Sequence, residues 1–185
     1  MTTVDSPAAG GIASALRQLY FVRFAFAIVW AVLLFTTKAH LGALATTLLI
    51  LYPLFDVAAA VVDARSSGSA GPTRGLYVNI GFSLAAAIGL VIATGVGLPQ
   101  VLRVWGAWAI VAGLVQLIVA IGRRAMGGQW PMILSGGLSA LAGVSFIVAA
   151  SGANPALTTI GGYAVLGAIF FLVSAIRLGR AGKVK

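Results

Sequence analysis

The stretch LGALATTLLILYPLFDVAAAVV, residues 41–62, decides the fold of this chain. It contains a single charged residue, Asp56, and its apolar residues cover every face of a helix. Crossing the roughly 30 Å hydrocarbon core of a bilayer takes about 20 helical residues at about 1.5 Å each. A strand of a membrane barrel would be shorter and would alternate apolar with polar residues. The stretch therefore predicts a transmembrane helix.

Five further segments have the same character. They are residues 18–37, 77–95, 101–122, 130–150 and 157–178. Of the 185 residues in the chain, 61% are hydrophobic and 8% are charged, so most of the surface must face lipid. The predicted fold class is an all-α integral membrane protein with six transmembrane helices.

The connections between the segments alternate in length. Those after the first, third and fifth segments are short, whereas those after the second and fourth are longer and basic, with residues 63–74 the longest. A loose repeat places Tyr52, Trp108 and Tyr163 at equivalent positions. We therefore expect three sequential hairpins in one domain. The predicted boundaries are an N-terminal tail at 1–16, a domain at 17–180 with hairpins at about 17–65, 75–124 and 128–180, and a basic tail at 181–185.

The basic residues indicate the orientation of the chain. By the predicted spans, ten lie on the side of the N-terminus and two, Lys38 and Arg103, on the other. The ten are Arg17, Arg23, Arg65, Arg74, Arg123, Arg124, Arg177, Arg180, Lys183 and Lys185. Since cytoplasmic loops carry the excess of Lys and Arg, both termini are expected in the cytoplasm. The net charge of +9 does not indicate nucleic acid, because these residues sit at the ends of apolar segments instead of on one face.

Polar residues inside the segments form the candidate site. Arg23 and Asp56 both lie roughly 10 Å from the predicted cytoplasmic ends of neighbouring antiparallel helices. A lone charge at that depth costs several kcal/mol, so we expect the two to pair. Asn79 and Gln116 fall in the same leaflet and complete a predicted polar cluster. Three serines share that leaflet: Ser135, Ser139 and Ser174. Such a cluster is either a structural network that fixes helix register or a site for protons, ions or small solutes.

Catalytic and metal chemistry have few candidates. The chain contains no cysteine, one histidine (His40) and three acidic residues, Asp5, Asp56 and Asp63. Metal sites need several converging ligands, and a membrane enzyme needs a nucleophile, a carboxylate pair or a metal set. We therefore expect no catalytic residues, no cofactor and no metal. A lipid-like molecule bound beside the polar cluster would revive an enzymatic interpretation.

Small residues and tryptophans indicate contacts with other helices and with lipid. Stripes at four-residue spacing predict close helix packing, within the chain or in a homo-oligomer. The stripes are Gly81, Ala85, Gly89 and Ala93 in the third segment, and Ser135, Ser139 and Gly143 in the fifth. Trp105 and Trp130, near segment ends, fit the aromatic belt of a membrane interface.

One group of residues resembles the bacterial short-repeat membrane family that includes the HdeD acid-resistance proteins. The similar stretches are GQWPMILSGGLSALAG at 128–143, GGYAVLG at 161–167 with AIR at 175–177, and LYPLFD at 51–56. The resemblance implies a six-helix, non-enzymatic protein of the bacterial inner (plasma) membrane, associated with envelope or acid stress. It brings no catalytic residues. The alternative is a small channel or transporter for protons, ions or small solutes, with Arg23, Asp56, Asn79 and Gln116 at a cytoplasmic vestibule.

Overall fold

Six long helices make up the described structure. The computed structural model describes residues 7–37, 40–67 and 73–181. The helices are α1 (Pro7–Thr36), α2 (Ala43–Ser67), α3 (Thr73–Val96), α4 (Leu98–Gly122), α5 (Trp130–Ala149) and α6 (Leu157–Ala181), with a short 3-10 turn at Arg124–Met126. Each of the six is long and apolar enough to cross a membrane. The prediction of six transmembrane helices is confirmed, and the chain is a multi-pass integral membrane protein.

The helices extend beyond the predicted spans. Helix α1 begins at Pro7, so more than half of the predicted N-terminal tail is helical. Helix α2 continues to Ser67 and α3 begins at Thr73, which reduces the long predicted connection to residues 68–72, outside the described residues. The reason is physical: bilayer thickness sets the minimum length of an apolar span but not where the helix ends in water. Proline at the first turn also favours an early start of α1.

Glycines allow the two turns around α4. Gly97 precedes α4 with a φ of +137°, and Gly127 and Gly128 follow the 3-10 turn with φ values of +74° and +66°. Side chains with a Cβ rarely adopt these conformations. A Cβ on Gly128 would also lie 2.7 Å from the backbone nitrogen of Leu178. Glycine is therefore needed where the start of α5 meets the end of α6.

The closest helix packing joins α4 to α5. A Cβ on Gly106 would lie 2.6 Å from the Gly143 carbonyl oxygen, and a Cβ on Gly113 would lie 2.7 Å from that of Gly136. Such backbone approach is how helices associate in lipid. The α5 stripe is thus packed inside the chain. On α3, by contrast, Gly81 is exposed, with no atom near its Cβ position.

The most extensive contacts cross the predicted hairpin boundaries. Helix α4 packs most extensively on α5, followed by α1 on α6 and α2 on α3. Within the predicted hairpins, α1–α2 and α5–α6 contacts are smaller. The hairpin repeat stays a prediction.

The interior has two large apolar clusters along the helix axes, and a third, much smaller one. One cluster includes Leu34, Leu49, Leu102 and Leu157, and we call its end of the bundle the far end. The other large cluster includes Leu16, Met132 and Leu178. Its end is called the basic end, because the nearby helix ends carry Arg65, Arg123, Arg124, Arg177 and Arg180. Polar side chains occupy the level between the clusters.

The two tryptophans predicted at the membrane interface differ in their exposure. Trp130 is 73% exposed at the start of α5, as a belt residue would be. Trp105 is fully buried, so its assignment to the belt is wrong. It packs against Trp30 and Trp108, with ring centroids 5.6 Å and 5.2 Å away. Its position near a segment end in the sequence did not reveal that it faces inward.

Candidate functional site

The carboxylate of Asp56 is the centre of the polar level. Arg23 Nη2, from α1, lies 2.8 Å from Asp56 Oδ1. Two side chains from α3 donate to Asp56 Oδ2: Asn79 through Nδ2, and Ser83 through Oγ at 2.9 Å. The side chains of Arg23 and Asp56 are 16% and 13% exposed. The carboxylate therefore joins α1, α2 and α3 through three donors.

Two aromatic side chains extend this network to α4 and α6. Trp108 Nε1 donates to Ser83 Oγ at 2.9 Å, so α4 is connected to Asp56 through Ser83. The Arg23 guanidinium carbon lies 5.2 Å from the centroid of the Phe171 ring, within the range of a cation–π contact. Arg23 Nε has no hydrogen-bond partner among the described residues. Arg23 is thus held by one ion pair and one ring, with donor capacity unused.

Two small cavities meet at Asp56. The inner cavity has a volume of about 50 Å³ and is also lined by Tyr52, Trp108, Ser139 and Tyr163. The outer cavity has a volume of about 70 Å³ and extends toward the basic end. Four residues line both cavities: Arg23, Asp56, Ala112 and Gln116. Since a water molecule needs at least roughly 10–15 Å³ of such space, each cavity can hold a few waters.

A second ion pair lies at the basic end of the outer cavity. Arg123 donates two hydrogen bonds to Asp63, with Nη1 2.9 Å from Oδ2 and Nη2 2.6 Å from Oδ1. Its Nη2 also donates to Ser67 Oγ at 2.7 Å. Burial alone lowers the pKa of Arg123, but the hydrogen bonds and attraction of Asp63 outweigh it and raise that pKa above its ordinary value. This is a charged clamp between α2 and the end of α4.

The sequence did not reveal the clamp. The sequence pattern places Asp63 in the longest connection between segments, and it indicates only a topology role for Arg123. Asp63 follows Asp56 by seven residues, which is about two helical turns at roughly 3.6 residues per turn, so both share a face if α2 continues. That spacing was the available signal. Its partner lies 60 residues away, and nothing in the sequence pattern brings α2 beside α4.

A layer of aromatic rings bounds the inner cavity on the side of the far end. Tyr52 and Trp108 line the cavity, and the buried side chains of Trp30 and Trp105 pack behind them. Ring centroids are 4.7 Å apart for Trp30 and Tyr52, and 5.6 Å apart for Tyr52 and Trp105. Trp30 Nε1 donates to the Leu48 carbonyl at 2.6 Å, which fixes its ring. We call these four side chains the aromatic layer.

The other polar residues of the predicted cluster do not bind Asp56. Among the described residues Gln116 forms no hydrogen bond with Asp56, although both line the two cavities; its Nε2 donates to the Met132 carbonyl at 3.1 Å. Ser135 and Ser139 line the inner cavity, and Ser139 Oγ accepts a hydrogen bond from Tyr163 at 3.1 Å. Ser174 bonds the Gly128 carbonyl, away from the cavities. Asp5 and Lys38 lie outside the described residues.

The described residues also bear on the metal prediction. Within residues 7–37, 40–67 and 73–181, no group of three or more His, Cys, Asp or Glu is placed to hold a metal ion. The two carboxylates of α2 are each bound to an arginine. These carboxylates and arginines offer charge pairing and hydrogen bonding.

Together, the fold and the site define a multi-pass helical membrane protein with a charged, hydrogen-bonded cluster between two water-sized cavities. No family model, no curated protein and no solved structure matches the chain. The resemblance to the HdeD family therefore stays a prediction from the sequence.

Proposed function

We propose that this protein is a pathway for protons or small ions, entered from the basic end, with Asp56 as its central group. The observation that carries the proposal is the position of Asp56 where the outer and inner cavities meet. A charged side chain at membrane depth is costly unless it pairs or contacts water, and such groups commonly mark ion and proton routes. Asp56 and Arg23 pair with each other and line two cavities large enough to hold water.

The cavity volumes limit the species that the pathway carries. At about 50 Å³ and about 70 Å³, the cavities are far below the roughly 300–1,000 Å³ of sites for drug-sized ligands. They suit water, protons carried on water and small ions. The side chains around the inner cavity support this choice, because Tyr52, Ser139 and Tyr163 offer hydroxyl groups that both donate and accept hydrogen bonds.

The aromatic layer gives the pathway a closed end. Complete passage requires this layer to repack, because Trp30 and Trp105 are fully buried behind Tyr52 and Trp108. Transporters alternate access around a central site in this manner, with one side closed at a time. In the conformation described here, the outer cavity extends from Asp56 toward the basic end, and the aromatic layer bounds the inner cavity on the other side.

The orientation and location belong to the same proposal. We place the basic end in the cytoplasm of a bacterium and the chain in its inner membrane, by the excess of basic residues there. Because the chain has no cysteine, single thiols report orientation without background. We expect a membrane-impermeant maleimide added outside intact cells to label Ser151→Cys, at the far end, and not Ser66→Cys, at the basic end. The reverse labelling would contradict the orientation.

A second candidate is a non-transporting protein of the HdeD-like class that acts in envelope or acid stress. The observation in its favour is that Asp56 already accepts three hydrogen bonds while the aromatic layer closes the interior. In this account the Arg23–Asp56 pair fixes helix register only. It predicts that no condition yields protein-dependent flux.

Flux in proteoliposomes separates the two candidates. We expect an imposed pH gradient to collapse faster with wild-type protein than in protein-free liposomes. In Gln116→Cys, where both cavities are lined by the new thiol, we expect silver ion to block that flux, while the wild type, which has no thiol, is unaffected. The matched control is Ser145→Cys, an exposed position on α5. A wild type that passes neither protons nor monovalent ions would overturn the pathway.

A further inference from the structure

A wide apolar groove lies on the outer surface between α5 and α6. Its volume is about 630 Å³, and Trp130 stands at one end. The side chains that form most of its walls are Leu134, Leu138, Leu141, Ile169, Phe170 and Val173. Among helices that follow each other in the chain, α5 and α6 share the least contact, which leaves the groove open.

The length of the groove matches one leaflet of a bilayer. From Trp130 to Leu141 the α5 wall covers twelve residues, which are separated by eleven helical steps. At roughly 1.5 Å per residue this is about 16 Å, close to half of the roughly 30 Å hydrocarbon core. An acyl chain of the leaflet at the basic end therefore fits along the groove, with its head group beyond Trp130.

Two arginines continue the groove at that end. Arg177 and Arg180 follow Val173 by four and seven residues, so they lie on the same stripe of α6. Both are exposed, and neither forms an ion pair within the part of the chain that the structure describes. The start of α5 meets the end of α6 at Gly128 and Leu178, which places Trp130 and the arginines at the same end.

We propose that this groove and these arginines bind one anionic phospholipid, with an acyl chain in the groove and the phosphate between Arg177 and Arg180. The site lies outside the bundle and does not depend on the proposed pathway. A second copy of the chain fits less well. Related by a twofold axis along the membrane normal, it would bring the Arg177 and Arg180 stripes of both copies together, where like charges repel.

The bound chain would also cover the wall of the inner cavity. Leu138 and Phe170 line both the groove and a pocket of about 30 Å³ in the seam between α5 and α6. Ser139 and Tyr163 line that pocket and the inner cavity. An acyl chain in the groove therefore separates this polar seam from the rest of the bilayer.

Native mass spectrometry of the purified full chain tests the proposal. The probes are phosphatidylglycerol and phosphatidylcholine with the same oleoyl chains, added in equal amounts. We expect wild type to retain phosphatidylglycerol preferentially. The double variant Arg177→Gln/Arg180→Gln should lose about ten-fold or more of that preference, since each basic residue near an anionic lipid surface contributes a factor of about five. Arg103→Gln, an exposed arginine at the far end, should retain it.

A second pair of variants tests the groove itself. A Cβ on Gly137, which lines the groove, meets no atom within 4 Å, so Gly137→Leu fills the groove without a clash at its base. We expect this variant to lose the bound lipid, and Gly162→Leu, at an equally open position on α6, to retain it. Unchanged preference for phosphatidylglycerol in the double arginine variant would overturn the proposal. So would a wild-type dimer that Gly137→Leu separates, because a second copy would then fill the groove.

Discussion

Asp56 and Asp63 lie about two turns apart on α2, and each carboxylate meets an arginine from another helix. Arg123 binds Asp63 with two parallel hydrogen bonds and is 6% exposed. Arg23 binds Asp56 with one hydrogen bond, to Oδ1. The other carboxylate oxygen, Oδ2, accepts hydrogen bonds from Asn79 and Ser83. The same two residue types thus form a closed clamp in one place and an open network in the other.

The surroundings explain the difference. Asp63 and Arg123 join α2 to the end of α4 and, together with Ser67, form a bidentate pair at the rim of the outer cavity. Asp56 and Arg23 line both cavities, and Arg23 Nε has no hydrogen-bond partner among the described residues. Pairing with an arginine therefore does not by itself define a structural role for an aspartate. We therefore expect the Asp63 pair to govern stability and the Asp56 pair to govern flux.

The largest effect on stability is expected from Asp63→Ala. This substitution leaves Arg123 buried without its counter-ion, which costs about 3–5 kcal/mol of unfolding free energy. Because the pKa of Arg123 is raised, the contribution of the charged arginine to the unfolding free energy is complete below the ordinary arginine pKa. That contribution is lost only as pH rises through the raised pKa. The loss should therefore be the same at mildly acidic and mildly alkaline pH. Reversible unfolding in mixed detergent micelles measures the loss of stability at both pH values. A loss under about 1 kcal/mol would show that the Asp63–Arg123 pair does not govern stability.

Replacing the whole clamp should recover most of that loss. In Arg123→Met/Asp63→Leu no unpaired charge remains, and apolar replacements of buried pairs are often neutral or stabilising by about 1–4 kcal/mol. We expect the double variant to unfold at nearly the wild-type denaturant concentration and to keep wild-type flux. A double variant as unstable as Asp63→Ala would mean that α2 and α4 need the hydrogen bonds themselves.

A smaller loss is expected from Asp56→Asn. The amide keeps the shape and one acceptor, and Arg23 keeps the Phe171 ring and the cavities, so we expect about 1.5–2 kcal/mol, within the range for hydrogen bonds to charged groups. The same micelle assay compares it directly with Asp63→Asn, the matched substitution in the clamp. An Asp56→Asn loss equal to or larger than that of Asp63→Asn would remove the distinction between the two pairs.

The smallest effect is expected from Ser83→Ala, which removes one donor to Asp56 and the acceptor of Trp108 Nε1. We expect a loss of about 1 kcal/mol. Ser145→Ala, where the exposed hydroxyl bonds only its own helix, should change stability by less than about 0.5 kcal/mol. Equal values for the two variants would show that Ser83 does not connect α4 to Asp56.

The fold followed from the sequence because lipid requires each spanning segment to satisfy its backbone hydrogen bonds internally. Hydropathy alone then gives the number of helices. The helix partners did not follow, since small residues such as Gly106 and Gly136 promote packing without specifying a neighbour. The lengths of the connections therefore did not predict the close contact between α4 and α5.

The sequence predicts those parts of the site that depend only on how deep each residue lies in the membrane. Arg23 and Asp56 could be paired because they lie at equal depth on consecutive helices. Asp63 and Arg123 could not, because their helices are separated by α3 in the chain. The two cavities could not be predicted, because they depend on how the side chains pack in three dimensions. Trp105, which is fully buried, shows that a position near a segment end does not indicate which way a ring points.

The most direct test of the account measures proton flux and unfolding on the same preparations of Asp56→Asn and Asp63→Asn. We expect Asp56→Asn to abolish flux while the protein stays folded, and Asp63→Asn to keep flux per folded molecule but to lose more stability. Wild-type flux in a folded Asp56→Asn variant would contradict it.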